Sequence, residues 1–421
     1  MTSTPRRAAA ATAAGATAGV HSERRIERAL DALNFFLADV RDGLGPYLAI
    51  YLLTSRHWNE AQIGVVMSVA GIAGIVAQAP AGALVDALRA KRLLIGAAAI
   101  VVTVSSVALP FMHGFWPVAA TQALAGAAAA IFAPAVTAIT LGIFGHGRFA
   151  RRTGRNEAFN HAGNACAAAT AGAAAYVWGP VVVFFLLGLM AVATLVSVLT
   201  VPADAIDHDR ARGLADGTRV AHDRPSGLTV LLSNRRLLTF AACAVMFHFA
   251  NAAMLPLVGQ KLALADAKIG TSLMSACIVA AQLVMVPMAV LAGHKADTWG
   301  RKPLFLAGFL ILTTRGVLYT LSDSSAWLVG VQLLDGVGAG LYGALFPMVV
   351  ADLMEGTGRF NVAQGAVTTA QGIGAALSTT LAGLIVVHLG YSAAFLTLAG
   401  IAGAGGLLFL LAMPETGTTT A

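Results

Sequence analysis

Charge is the scarcest resource in this sequence. Only 11% of its 421 residues are charged, 57% are hydrophobic, and the mean hydropathy is +0.76. A soluble domain carries about 25% charged residues, so a chain of this length with a fully water-facing surface is excluded. Cysteine is almost absent. Cys166, Cys243 and Cys277 all fall in apolar runs, are odd in number and have no metal-ligand spacing, which rules out a disulfide framework and leaves small core residues. No Gly-x-x-x-x-Gly-Lys-[Ser/Thr] loop occurs, so nucleotide hydrolysis is not the energy source. No cluster of metal ligands, no nucleophile beside a base and no soluble domain is found. The reading is therefore not an enzyme, with no metal and no cofactor. The first twenty residues are rich in Ala and Thr and lack the Leu-type core of a signal peptide, so residues 1–30 read as a disordered cytoplasmic tail.

What is present is a series of long apolar runs. A helix needs about 20 such residues to cross the hydrocarbon core. Twelve candidates run over 31–54, 62–85, 92–111, 116–143, 156–177, 180–201, 237–258, 268–292, 303–321, 326–352, 361–387 and 391–413. The 202–236 stretch is polar, charged and rich in turn residues. It reads as a cytoplasmic linker between an N-terminal bundle (31–201) and a C-terminal bundle (237–413), with 414–421 as a second tail. The fold class expected is an all-α membrane protein of twelve transmembrane helices in two pseudo-symmetric six-helix bundles.

The net charge of +7 does not indicate nucleic acid, because Lys and Arg sit in short clusters between the apolar runs. With the N-terminus inside, 22 of the 27 basic residues fall in inside segments. Only Arg56, Lys261 and Lys268 fall outside, and Arg41 and Arg315 lie within spans. The positive-inside rule then places both termini in the cytoplasm. The expected location is a bacterial inner membrane, with the bilayer as the immediate partner.

The halves repeat one another. Gly82-x-x-x-Asp86 and Gly293-x-x-x-Asp297 are 211 residues apart; Gln122-x-x-x-Gly126 and Gln332-x-x-x-Gly336 are 210 apart, as are Pro46 and Pro256. Thr153-Gly154-Arg155 and Thr357-Gly358-Arg359 are 204 apart. Four pairs in one order at nearly one offset point to duplicated bundles, with a solute path at their interface.

These residues resemble the major facilitator superfamily of secondary transporters over nearly the whole chain. The segment GHKADTWGRK (293–302) is similar to the family's loop pattern, with Gly293, Asp297, Gly300, Arg301 and Lys302 in place. The first-half copy keeps Gly82, Asp86, Lys91 and Arg92 but has Arg89 where the family usually has glycine. The resemblance implies that these residues form a cytoplasmic gate that latches the halves together and biases the outward-open state; a plain turn plus orientation signal is the alternative. Two departures bear on mechanism. Gln122 stands where many proton-coupled members carry an arginine, and the fifth span lacks the Gly-Pro pair of many drug antiporters.

An ionisable residue inside a span is costly and marks either function or a structural pair. In the first span, Asn34, Asp39, Arg41 and Asp42 form the densest cluster. Asp39 and Asp42, three apart, share a helix face. By resemblance that helix lines the central cavity, where the cluster either binds a charged solute, carries the coupled proton, or is a structural ion pair with Arg41. Arg315 and Asp335 form a second candidate pair, either charge-neutralising or released by protonation of Asp335. His248 and Asn251 precede Pro256 in the seventh span. Asn160 and Asn164 in the fifth, and Gln364 in the eleventh, give matched amide stripes that either bind solute or join helices. Pro134 and Pro347 lie mid-span as candidate kinks.

The reading that results is a secondary active transporter, expected as a monomer, moving a small-molecule solute with protons as the coupling ion. The LGPYL and FANAAMLPLVG runs resemble efflux members, so proton-coupled export (an antiporter) leads. Uptake of a metabolite or organic anion is the alternative, and a non-transporting membrane sensor the remote one.

Overall fold

The structure is a computed structural model that describes residues 5–42, 44–212, 227–354 and 360–416. Most of the linker, the repeat residues Gly358 and Arg359, and the end of the C-terminal tail lie outside the described residues, as does the side chain of Asp42.

Proline placement decides where the helices break. A proline inside a helix removes one hydrogen bond and its ring meets the carbonyl four residues earlier. The first crossing is made of α1 (Pro5–Asp42) and α2 (Gly45–Thr54). The seventh is made of α9 (Arg235–Ala252) and α10 (Met254–Ala265). α1 ends at Asp42 and α9 at Ala252, each four residues before its repeat-related proline, Pro46 or Pro256. The fourth crossing breaks in the same way: α5 (Phe115–Ala129) stops before Ala130, four residues ahead of Pro134, and α6 (Phe132–Trp178) resumes. Pro347 does not do this, because α13 (Ser325–Leu353) runs through it, and Pro80 and Pro287 likewise lie inside unbroken helices.

The remaining crossings are α3 (Glu60–Ala87), α4 (Lys91–Ala108), α7 (Val182–Thr200), α11 (Gly270–Trp299) and α12 (Arg301–Leu318). The long α6 turns at Gly145 (φ 64°), so that its first part completes the fourth crossing and the rest makes the fifth. Likewise α14 (Phe360–Ala412) turns at Gly390 (φ 82°) to supply the eleventh and twelfth. Both turns need the left-handed backbone region that glycine enters without a Cβ clash. Eight segments are long and apolar enough to cross a membrane by length and composition alone, one of them the double crossing Val362–Ala412. The first, fifth and ninth crossings carry too many breaks or charges to meet that measure. Twelve crossings in two six-helix bundles result. No strand occurs among the described residues. Helix α1 takes in residues assigned to the tail from composition, and within the linker lies the short α8 (Gly227–Ser233).

The two halves are built on the same close approaches. A Cβ on Gly126 would lie 2.1 Å from the backbone oxygen of Ala70 on α3, and one on Gly336 would lie 2.2 Å from that of Ala281 on α11. Ala70 and Ala281 are themselves repeat-related, 211 residues apart. Small residues let backbones meet where lipid offers no hydrophobic driving force.

Among the described residues, the hydrogen bonds between the halves lie on one side. Tyr47 and Ser275 share a hydrogen bond (2.7 Å), Ser272 Oγ donates to the oxygen of Gly172 (2.7 Å), Ser68 bonds Thr379 and Thr380 (2.9 and 2.6 Å), and Tyr391 OH donates to Glu60 (3.0 Å). Tyr47, Ile50, Ala171, Ala175, Val183, Ala263 and Met274 form an apolar cluster spanning both halves at the same level. These residues occupy the ends of their helices remote from the clusters Lys91–Arg92, Arg148–Arg155 and Arg301–Lys302. We call the two sides the seam face and the basic face.

Candidate translocation site

Below the seam, the N-terminal half presents a polar cavity of about 80 Å³. Asn34 and Arg41 of α1, Thr137 and Thr140 of the fourth crossing, and Asn156 and Asn160 of the fifth are among its walls. Asn34 is buried, with Nδ2 donating to the oxygen of Leu30 (2.8 Å). Asn160 is also buried, and Arg41 is exposed. Asp39 is half-buried, near enough to Tyr47 for its charge to act on that hydroxyl at the seam. Of the first-span cluster, Asn34 and Arg41 are on the cavity wall.

Directly beneath this cavity is a charged network that the sequence pattern did not mark. Asp31 accepts from Arg152 (2.7 Å) and from two nitrogens of Arg155 (3.0 and 2.6 Å). Arg152 Nε donates to Asn156 Oδ1 (2.9 Å), and Asn156 Nδ2 donates to Thr140 Oγ1 (3.0 Å). Burial pushes the Arg152 guanidinium down from its ordinary range while Asp31 pulls it back up; the hydrogen bonds that Arg155 donates to Asp31 hold it above its own. Arg152 and Arg155 had been counted as orientation charges and Asp31 as the first residue of a span. The one available signal was an aspartate in line with Asn34, three residues on.

In the C-terminal half, four residues singled out from sequence come together. Arg315 of α12 forms an ion pair with Asp335 of α13 and donates to Asn251 of α9 (2.6 Å). Asp335 also accepts from Gln332 (2.8 Å), whose own oxygen accepts from Tyr319. The Arg315 side chain is 2% exposed and that of Asp335 16%. The carboxylate and the neutral amides partner this buried charge, as a low-dielectric site favours, although Arg315 Nε is buried without a partner. Asn251 is available because α9 ends one residue later, opening the helix at the Pro256 break.

His248, half-buried, meets Tyr342 edge-on (4.8 Å), and Tyr342 stacks on Phe247 (4.5 Å) while its hydroxyl accepts from Gln371. Gln122 is buried with Nε2 unpartnered. Asn164 and Gln364 are half-buried and make no hydrogen bond among the described residues.

The gate residues are tied within their own halves. Lys91 is fully buried, donating to the oxygens of Val85 (2.8 Å) and Leu88 (3.2 Å), and Arg92 reaches Leu199 and Val201. Asp86 and Arg89 are exposed, and nothing lies within 4 Å of a Cβ placed on Gly82 or Gly293. Asp297 pairs with Arg301 (3.4 Å), which also meets Asp352 at the end of α13 (3.1 Å). Gly300 takes φ 86° and opens α12, whose first N–H groups, on Arg301 and Lys302, donate to the Glu415 carboxylate (2.9 and 3.1 Å). A carboxylate at a helix N-terminus is favourable. In this conformation the basic-face loops bind their own halves.

The family model for the Major Facilitator Superfamily matches residues 30–359 and 266–421. Two curated relatives from Mycobacterium tuberculosis, of strains CDC 1551 / Oshkosh and ATCC 25618 / H37Rv, are each described as an uncharacterized MFS-type transporter. Each is 61% identical over 392 residues, covering 93% of this chain and 94% of the relative. Among solved structures, a variant of the nucleoside transporter NupG superposes with a TM-score of 0.76 at 15% identity over 91% of this chain and 99% of that one. NupG itself gives 0.73 at 14% identity over 91% and 98%.

Proposed function

The chain belongs to the major facilitator superfamily, and we propose that within it this protein exports a small organic solute by alternating access, exchanging it for protons. The one-sided seam carries the reading. Two bundles held together at one end and parted at the other can rock about a site between them, presenting it to each side in turn. The polar cavity at Asn34, Arg41, Asn156 and Asn160 lies on the parted side. The solute therefore meets Asn160 and Arg41.

Asp335 is the carboxylate we assign to coupling. Its protonation removes the charge that holds Arg315, freeing the guanidinium and loosening the link between α9, α12 and α13. Asp39, beside the seam residue Tyr47, is placed to transmit a second protonation to the closed end. The orientation that the basic residues support puts the basic face in the cytoplasm of a bacterial cell, with the protein acting as a monomer in the plasma membrane.

Purified protein in proteoliposomes under an imposed pH gradient, offered a panel of amines, organic anions, sugars and nucleosides, tests this directly. Gradient-driven export of at least one solute class is expected. Folded protein that moves none of them under any gradient ends the proposal; accumulation down the proton gradient in the same direction as protons reverses the assigned direction to uptake.

A further inference from the structure

The walls of the polar cavity are unequal in charge. Asn34 and Arg41 of the first crossing, Thr140 of the fourth, and Asn156 and Asn160 of the fifth line it. Glu157 is the single acid among its described lining residues, and it is exposed. The buried side is committed to a cation. Arg152 Nε donates to Asn156 Oδ1 (2.9 Å), Asn156 Nδ2 donates to Thr140 Oγ1 (3.0 Å), and Thr140 gives its own hydrogen to the oxygen of Val136 (2.8 Å). The amide oxygen of Asn156 is thereby engaged, while its second N–H remains.

Arg152 stands one hydrogen bond behind this wall, with its side chain 3% exposed. Its Nη1 is sealed from solvent without a hydrogen-bond partner among the described residues. Arg152 and Arg155 share one carboxylate, Asp31, within hydrogen-bonding distance; Glu27 acts on both only through its charge, from further away. Asn160 is buried and makes no hydrogen bond among the described residues. Unmatched donors in a low-dielectric site are costly, and an anion beside Arg41 and in front of Arg152 offsets that cost, whereas an ammonium group meets repulsion from both. The volume, about 80 Å³, is that of two or three waters at roughly 30 Å³ each. It holds an acid group and is too small for a whole drug-sized molecule.

We propose that this cavity is the subsite for the carboxylate group of the solute. The carboxylate accepts from the remaining N–H of Asn156, from the Asn160 amide and from Arg41, with the Arg152 charge behind it, and the rest of the solute extends out of the cavity into the space between the halves. Glu157 restricts the site to a single negative charge, because a dianion adds repulsion against it. The inference rests on the export reading, whose solute class it narrows to organic monocarboxylates.

The test uses full-length protein in lipid nanodiscs, with binding of butyrate, benzoate and phenylacetate each compared with the matching amide and amine. At least one carboxylate is expected to bind about tenfold more tightly than both of its counterparts. Arg41→Gln and Asn160→Leu should each weaken that carboxylate about tenfold with the unfolding midpoint in place, and Glu157→Gln should strengthen it about threefold. The opposite sign at Glu157 separates a charge effect from a loosened cavity, which weakens binding in all three variants. No carboxylate preferred over its amide, a preference for an amine, equal affinity in wild type, Arg41→Gln and Asn160→Leu, or weaker binding in Glu157→Gln overturns the proposal. Flux in proteoliposomes is scored separately. Proton-driven export of an amine or a neutral solute by protein that does not prefer carboxylates rejects the subsite and keeps the export reading. Carboxylate binding that follows these variants, without flux of any solute, does the reverse.

Discussion

Ser105, Gln122 and Ala125 in the N-terminal half stand 210 residues before Arg315, Gln332 and Asp335 in the C-terminal half. The backbone around them is the same: Gly126 and Gly336 press on repeat-related helices at 2.1 and 2.2 Å. The polar content differs. On one side the positions hold an ion pair with its amides satisfied; on the other, the Ser105 hydroxyl and Gln122 Nε2 are buried without partners. The N-terminal half places its buried charge elsewhere, at Asp31, Arg152 and Arg155, where the C-terminal half has Ala241 at the position equivalent to Asp31. The six-helix scaffold thus stands without either network. A buried ion pair is weak evidence for stability, so the role of the networks is a matter for experiment.

The sharpest way to break that comparison is to write one half's residues into the other. Arg315→Ser alone leaves Asp335 buried and unpaired and should cost about 3–5 kcal/mol, read as a drop in the unfolding midpoint in detergent. The double change Arg315→Ser with Asp335→Ala copies the N-terminal half and should recover most of that loss while gradient-driven flux stays absent. A double variant as unstable as the single one would mean the network is structural. Asp31→Ala tests the other network. Its cost should be smaller, about 2–4 kcal/mol, because the Arg155 side chain is 48% exposed and keeps its hydration.

Equivalence of the scaffolds is probed by Gly126→Val and Gly336→Val. Each forces a side chain into a facing backbone oxygen, and each should cost about 1–3 kcal/mol. A clear difference between the two would break the claim that the close approaches are the same in both halves. The smallest effect sharpens the contrast at the glutamines. Gln332→Leu removes a partner of Tyr319 and Asp335 and should cost about 1 kcal/mol, whereas Gln122→Leu removes an unpaired buried amide and should be neutral within about 0.5 kcal/mol. Both are measured by the same midpoint shift.

Much of this architecture is legible in the residues. Apolar run length marks the crossings, because every backbone group in lipid must be bonded within its own helix. Pro46 and Pro256 mark the paired breaks because a missing N–H acts locally. Arg315 and Asp335 stood out as a pair because charge inside a span is rare. The first-span cluster was less transparent. Asn34 and Arg41 line the cavity and Asp39 is not among its walls, which proximity along the chain does not foretell. Asp31 went unnoticed because its partners are 121 and 124 residues away and look like topology signals. The loop motif names its residues but not their partners, such as Asp352 and Glu415, which come from distant parts of the chain.

By itself the sequence determined the membrane environment, the twelve crossings and their duplication. Each of these depends on interactions within one helix or between one helix and its solvent, so a linear pattern records it. Only the tertiary structure decided which charges meet, that the halves close at one face and part at the other, and that Arg41, Asn156 and Asn160 line one polar cavity. Those facts depend on distances between helices far apart in the chain, set by how glycines and small side chains let the helices approach.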